Sequence, residues 1–284
     1  MCLLAALPSS AAEKLFANGE KLIFPKSSRD SIMASAIVVT KNKHVIIFDG
    51  GFYVDSGHLV EIVKPYSETI DCWFLSHAHD DHCGAIIDLA KTNPDALKVR
   101  NVLYSFPPQK WLAETETWSK DETATICGGV AALPWRQTTL SKGDHFEIDG
   151  VIIDVLNFYD LEMTANSCNN SSLVFSVTMS GKRFIFTGDI GAEMSQRLVD
   201  EYGDGLKADI VTLSHHGQNG ANKEFYARVK PEIAIWQTPS WLWDNDNGGG
   251  PGSGPWRTNY VKCWLQDIGV PRHFRNTFED IVLE

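Results

Sequence analysis

Residues 76–84 read Ser76, His77, Ala78, His79, Asp80, Asp81, His82, Cys83 and Gly84, and this stretch limits what the chain can fold into more than any other. Three of the nine histidines and two aspartates fall within six residues, directly after the apolar run Cys72, Trp73, Phe74 and Leu75. A core strand does not spend adjacent positions on imidazole and carboxylate, because an unpartnered buried polar group costs roughly 2–7 kcal/mol. A metal ion removes that cost by acting as the partner. The stretch therefore reads as a tight loop at a strand end that presents several metal-binding side chains.

The 284 residues suffice for one large α/β domain or two small ones. We read 21–284 as one domain, since no linker separates the halves. Residues 1–20 read as a frayed or helical start, with a helix-like segment at 11–17; the apolar run after Met1 also fits the end of an export signal, although it lacks a positive region. The expected location is the cytoplasm, with export as the alternative. Acidic residues outnumber basic ones by 36 to 25, for a formal charge of -11, which disfavours a broad nucleic-acid face. Six dispersed cysteines without a CxxC pair read as reduced thiols. No run approaches the roughly 20 apolar residues that span a bilayer.

Along the chain, 34–40 and 44–49 form a hairpin by pattern, ending at Asp49, Gly50 and Gly51. Taken alone, Asp-Gly-Gly is simply a turn. Residues 57–66 read as a helix, 71–76 as a buried strand, 83–92 as a helix opening near Gly84, and 99–104 as a strand. Helices are expected over 107–120 and 121–132. From 140 the period becomes two, giving strands at 146–148, 151–157, 172–179 and 182–187. A helix at 192–202, a strand at 208–213, a helix at 222–229, a strand at 232–237, a helix at 258–267 and a strand at 280–283 complete the pattern. Alternation of this kind means helices layered on sheets. The segment 241–256 breaks it, because its glycines and prolines forbid regular structure while Trp241, Trp243 and Trp256 make it more than a solvated linker. It reads equally as a surface loop anchored by aromatic burial or as a substrate lid.

Three strand-to-loop junctions thus carry ligand-type side chains: His77, His79, Asp81 and His82; Asp189; and His215 or His216. Imidazole mixed with carboxylate suits zinc, manganese or iron rather than calcium or magnesium.

In these residues and their order the chain resembles the metallo-β-lactamase-fold hydrolases. Their HxHxDH signature is matched by His77, His79, Asp81 and His82, their upstream supporting aspartate by Asp49, their bridging aspartate by Asp189, and their last histidine by His215 or His216, with His215 slightly preferred. The segments 169–174, 187–190 and 215–217 look most like the hydrolase domain of ComEC-type competence proteins and their free-standing relatives. The resemblance implies an αββα four-layer sandwich of two mixed sheets with helices outside. It also implies one or two Zn2+ ions, with Mn2+ or Fe as substitutes. One position would use His77, His79 and Asp189, the other Asp81, His82, Asp189 and His215 or His216. The family places a further histidine before the bridging aspartate; here the interval holds only His145, which reads as a surface residue, and Asn169 and Asn170 stand where that ligand would be. The first position is then a ligand short, and Asn170 is expected to support the site from behind.

The expected chemistry is hydrolysis by a metal-activated water, oriented or deprotonated by Asp81. The resemblance suggests a small or medium phosphodiester or related phosphate ester, with nucleic acid disfavoured by charge. Trp241, Trp243 and Trp256 are candidates for stacking on a base or caging a quaternary ammonium group. The alternatives are a lactone or β-lactam hydrolase, a mononuclear iron oxygenase, or a metal-stabilised binding protein. Oligomeric state is open.

Overall fold

The computed structural model describes residues 14–284. The expectations for residues 1–13 lie outside the described residues. Residues 14–17 are not helical; Leu15 N donates to Glu284 O, and Phe16 enters the core, so this stretch lies along the last strand instead.

Among the described residues, two seven-stranded sheets face each other. The first runs in the order Ile281–Leu283, Lys21–Phe24, Ser35–Val39, Val45–Asp49, Cys72–Phe74, Val102–Tyr104 and Gln137–Thr139. The second runs Arg272–Arg275, Ile233–Trp236, Ile210–Thr212, Lys182–Phe186, Phe175–Met179, Val151–Val155 and His145–Ile148. Each is mixed, with an antiparallel half and a parallel half.

Strand sequence follows from burial on both faces. Successive side chains alternate sides, so Ala36, Val38, Ile46 and Phe48 enter the core between the sheets, while Ile37, Val39, Val45 and Ile47 pack outward under helices. Strands covered twice read as continuous apolar runs. Phe48 stacks on Phe74 with centroids 5.1 Å apart, and Phe175 and Phe186 of the opposite sheet approach Phe48 at 5.2 and 5.8 Å. The helices Ser56–Val63, Asp80–Thr92 and Lys120–Ala131 cover the first sheet through Leu59, Ile86 and Ile126. Ala192–Tyr202, Lys223–Val229 and Thr258–Ile268 cover the second through Leu198, Phe225 and Leu265. The result is the αββα sandwich.

Several boundaries differ from expectation. The second helix begins at Asp80, three residues earlier than read, with His79 as its N-cap. Asp80 and Asp81 occupy its first turn, where the positive end of the helix dipole favours carboxylates. Residues 99–104 divide into Lys98–Val99, paired with Thr69–Ile70 in a separate ribbon, and Val102–Tyr104 in the main sheet. Residues 241–243 are regular after all: Ser240–Trp243 forms one helical turn before the glycines begin, closed by Trp243 N donating to Pro239 O. The four thiols Cys72, Cys83, Cys127 and Cys168 are free, whereas Cys263 is disulfide-bonded, against the expectation of reduced cysteines throughout.

Gly84 shows why the 80–92 helix lies where it does. A Cβ there would sit 2.5 Å from Tyr53 N and 2.8 Å from Phe52 C, so only glycine lets the helix approach the 50–53 turn.

Candidate metal centre

The site lies at one edge of the sandwich, beyond the carboxyl ends of parallel strands. Val45–Asp49 and Cys72–Phe74 run parallel, so Asp49 and the 76–79 loop emerge together. Lys182–Phe186 and Ile210–Thr212 do the same for Asp189 and for His215 and His216. The two sheets are tied at this edge by Leu173 N donating to Ser76 O at 3.0 Å.

Asp81, His82, Asp189 and His216 bring one ligand atom each within 4.8 Å of one another, and all four are buried. His216 Nε2 lies 2.9 Å from Asp81 Oδ2 and 3.4 Å from Asp189 Oδ2. His82 Nε2 lies 3.2 Å from Asp189 Oδ1. Neither Nε2 makes a hydrogen bond of acceptable geometry. Two buried, unpartnered imidazole nitrogens facing two carboxylates leave a cation as the partner that satisfies all four, and the donor set fits zinc, manganese or iron.

Supporting contacts fix the ring orientations. Asp49 Oδ2 lies 2.6 Å from His82 Nδ1, and the same carboxylate accepts from Ser76 N at 2.7 Å and Ser76 Oγ at 2.6 Å. His216 Nδ1 faces Gln237 O at 3.2 Å, and Thr238 Oγ1 donates to His216 O at 2.6 Å. Asp49, His215 and His216 adopt left-handed backbone, with φ of 51°, 51° and 55°. Such conformations cost of order 1–3 kcal/mol for non-glycine residues and persist only where surroundings enforce them.

The two halves of the site differ electrostatically. Burial works against charge on His82 and His216, yet Asp189 and Asp81 overcome it, holding His82 well above the usual histidine range and His216 at about 9. Burial also works against charge on Asp81 and Asp189, but His82 and His216 hold both carboxyls well below the usual range. In contrast, burial pushes His77 and His215 down, so both are neutral. His77 Nε2 and His79 Nδ1 lie 3.0 Å apart, while His79 Nε2 and His215 Nδ1 are buried without partners.

Of the two histidines left open by the sequence, His216 lies inside the four-residue cluster; His215 Nε2 stands 3.9 Å from Asp189 Oδ2 and 3.5 Å from Asn169 Nδ2. Asn169 Oδ1 is buried and unpartnered. Asn170 turns away: its Oδ1 accepts from Gly191 N, and its Nδ2 donates to Ala165 O and Glu193 Oε2. His145 pairs with Asp154 on the exposed edge strand. Trp243 packs edge-on against Trp236 and lies between Lys262 and Arg275, and the Trp241 ring meets that of Trp256 at 4.8 Å, tilted by 56°.

Two contributors carried no sequence signal. Gln237 is a strand-end glutamine without a motif. Trp118, 72% exposed, places its ring 5.8 Å from that of His79, some 40 residues away in sequence.

A family model described as the metallo-beta-lactamase superfamily matches residues 30–237. ComE operon protein 3 of Bacillus subtilis is 28% identical over 167 residues, 58% of this chain and 20% of its own length. Competence protein ComA of Neisseria gonorrhoeae is 34% identical over 204 residues, 71% of this chain and 25% of its own length. The chain therefore spans a quarter or less of these relatives. Among solved structures, the metallo-beta-lactamase fold protein YhfI from Bacillus subtilis superposes with a TM-score of 0.54 at 11% identity, covering 93% of this chain and 99% of its own.

Proposed function

The chain belongs to the metallo-β-lactamase superfamily, and on that premise we propose that it is a metal-dependent hydrolase of a phosphodiester or related phosphate ester. The observation that carries the reading is the convergence of buried Asp81, His82, Asp189 and His216, with both Nε2 atoms unpartnered. These four would hold the tighter ion; His77 and His79 with Asp189 would form a weaker position, because that set has one carboxylate against two and Asn169 stands in place of a histidine. A divalent cation bound there supplies Lewis acidity and a water whose pKa falls from about 15.7 to about 7.

The chain's own residues do the rest. Asp49 holds His82 in one tautomer through Nδ1, leaving Nε2 free to bind. Asp81, kept ionised by His82 and His216, is placed to orient the attacking water. His79 and His215, whose Nε2 and Nδ1 atoms are buried without partners, adjoin the cluster and offer those atoms to a phosphoryl oxygen. Likeness to competence proteins favours a phosphodiester over a lactone, and the charge of -11 favours a small ester over duplex nucleic acid.

The test is a screen of zinc-loaded and manganese-loaded protein against a phosphodiester, a phosphomonoester and a lactone. Phosphodiester turnover that disappears in Asp189→Ala is expected. Lactone turnover alone, or full metal loading without any turnover, contradicts the reading. Among the described residues no helix is long and apolar enough to cross a membrane.

A further inference from the structure

We propose that Trp118 is a stacking platform for the substrate, selecting esters that carry a planar aromatic group, such as a nucleobase, beside the scissile phosphate. The inference rests on the phosphodiester reading of the same site and names the residue that recognises the substrate's organic part.

Trp118 is the most exposed of the large hydrophobic side chains among the described residues. Tyr260 and Phe278 are nearly as exposed, but each lies under a guanidinium, Arg257 at 5.8 Å and Arg275 at 5.5 Å. The ring beside Trp118 is instead His79, whose Nε2 is buried and unpartnered. The exposed Trp118 ring thus puts an aromatic face against a histidine of the metal centre, at the rim where the organic part of a bound ester would lie.

The backbone around Trp118 is anchored on both sides to elements of the site. Glu116, 1% exposed, accepts from Ser167 Oγ at 2.7 Å and Cys168 N at 3.2 Å, tying the chain to the Ser167–Asn170 helix that carries Asn169. Glu122 accepts from Asp80 N at 3.3 Å, tying it to the helix that carries Asp81 and His82. Ser119 N donates to Glu116 O, and Thr123 N to Ser119 O, so the segment between the anchors is ordered. An exposed ring on a fixed backbone loses little entropy when it stacks.

Charge points the same way. With a net charge of -11 the chain adds no long-range attraction for phosphate beyond that of the bound cation, so selectivity among phosphate esters falls to a contact with the organic part. Base-on-aromatic stacking is tolerant of base identity and supplies about tenfold in affinity or more. The three tryptophans of 241–256 are already engaged with one another, with Trp236 or with cations.

The test titrates zinc-loaded protein with thymidylyl-thymidine and with dimethyl phosphate, reading affinity by isothermal titration calorimetry with tryptophan fluorescence recorded alongside. Wild type is expected to bind the dinucleotide at least tenfold tighter than dimethyl phosphate, with quenching; Trp118→Ala erases that preference and the quenching, and Trp118→Phe keeps most of the preference. A preference that survives in Trp118→Ala, or a wild type that shows none, overturns the platform. Turnover is read separately: binding preference without hydrolysis overturns the hydrolase reading alone, and hydrolysis with a preference indifferent to Trp118 overturns the platform alone.

Discussion

Asp49 Oδ2 lies 2.6 Å from His82 Nδ1, both side chains fully buried, so the helix-borne ring that faces Asp189 is aimed by a carboxylate at the end of the Val45–Asp49 strand. Asp49 also accepts two hydrogen bonds from Ser76, which couples the ring's orientation to the loop that delivers His77 and His79. Asp49→Asn keeps the shape but leaves His82 Nδ1 facing either a donor or a weaker acceptor. Removing such an orienting carboxylate typically costs 10–100-fold in metal affinity. Competition with a chromophoric chelator measures it; an affinity equal to wild type contradicts the assigned role.

Gly84→Ala is predicted to destabilise the fold by about 3 kcal/mol. The new Cβ meets backbone at 2.5 and 2.8 Å on the 50–53 turn, which cannot rotate aside as a flexible side chain would. Urea denaturation checks this, and a loss below about 1 kcal/mol would mean that the helix shifts freely.

The hairpin, the meander and the helix at 192–202 were legible because their apolar periods are unambiguous and turns such as Asp149-Gly150 bound them. The HxHxDH residues and Asp189 were legible because several ligand types crowd into short motifs at strand ends. Other parts were not. The strands Lys21–Phe24, Gln137–Thr139 and Arg272–Arg275 went unread: each is only three or four residues long, and the last carries two arginines. The choice between His215 and His216 depends on two left-handed residues in succession, a conformation with no sequence signature outside glycine. Trp118 reaches His79 only through tertiary packing.

His58 links the first-sheet helices to the last strand, with Nε2 2.7 Å from Asp280 Oδ1. That hydrogen bond raises the His58 pKa, so its stabilisation is complete below the unfolded value of about 6.5 and is lost as pH rises through the folded value. Burial raises Asp280, but His58 outweighs it and the net shift is downward, so its stabilisation is complete above about 3.9 and is lost as pH falls through the folded value. The wild type should therefore exceed His58→Gln in stability by about 1 kcal/mol between pH 4 and 6.5, with the gap closing toward pH 9. A gap independent of pH contradicts the ion pair.

The unequal halves of the site predict unequal metal loss. Dilute chelator should strip the position at His77 and His79 first, and His77→Ala should leave the tighter ion in place. Equal release of two ions per chain would contradict the asymmetry drawn from the single carboxylate of that position and from Asn169.

The account rests most on four side chains sharing one cation, and elemental analysis of chelator-washed protein tests that directly. Wild type and His215→Ala should each retain about one equivalent of transition metal per chain, whereas His216→Ala and Asp189→Ala should retain almost none. Retention unchanged in His216→Ala, or lost in His215→Ala alone, would contradict the assignment.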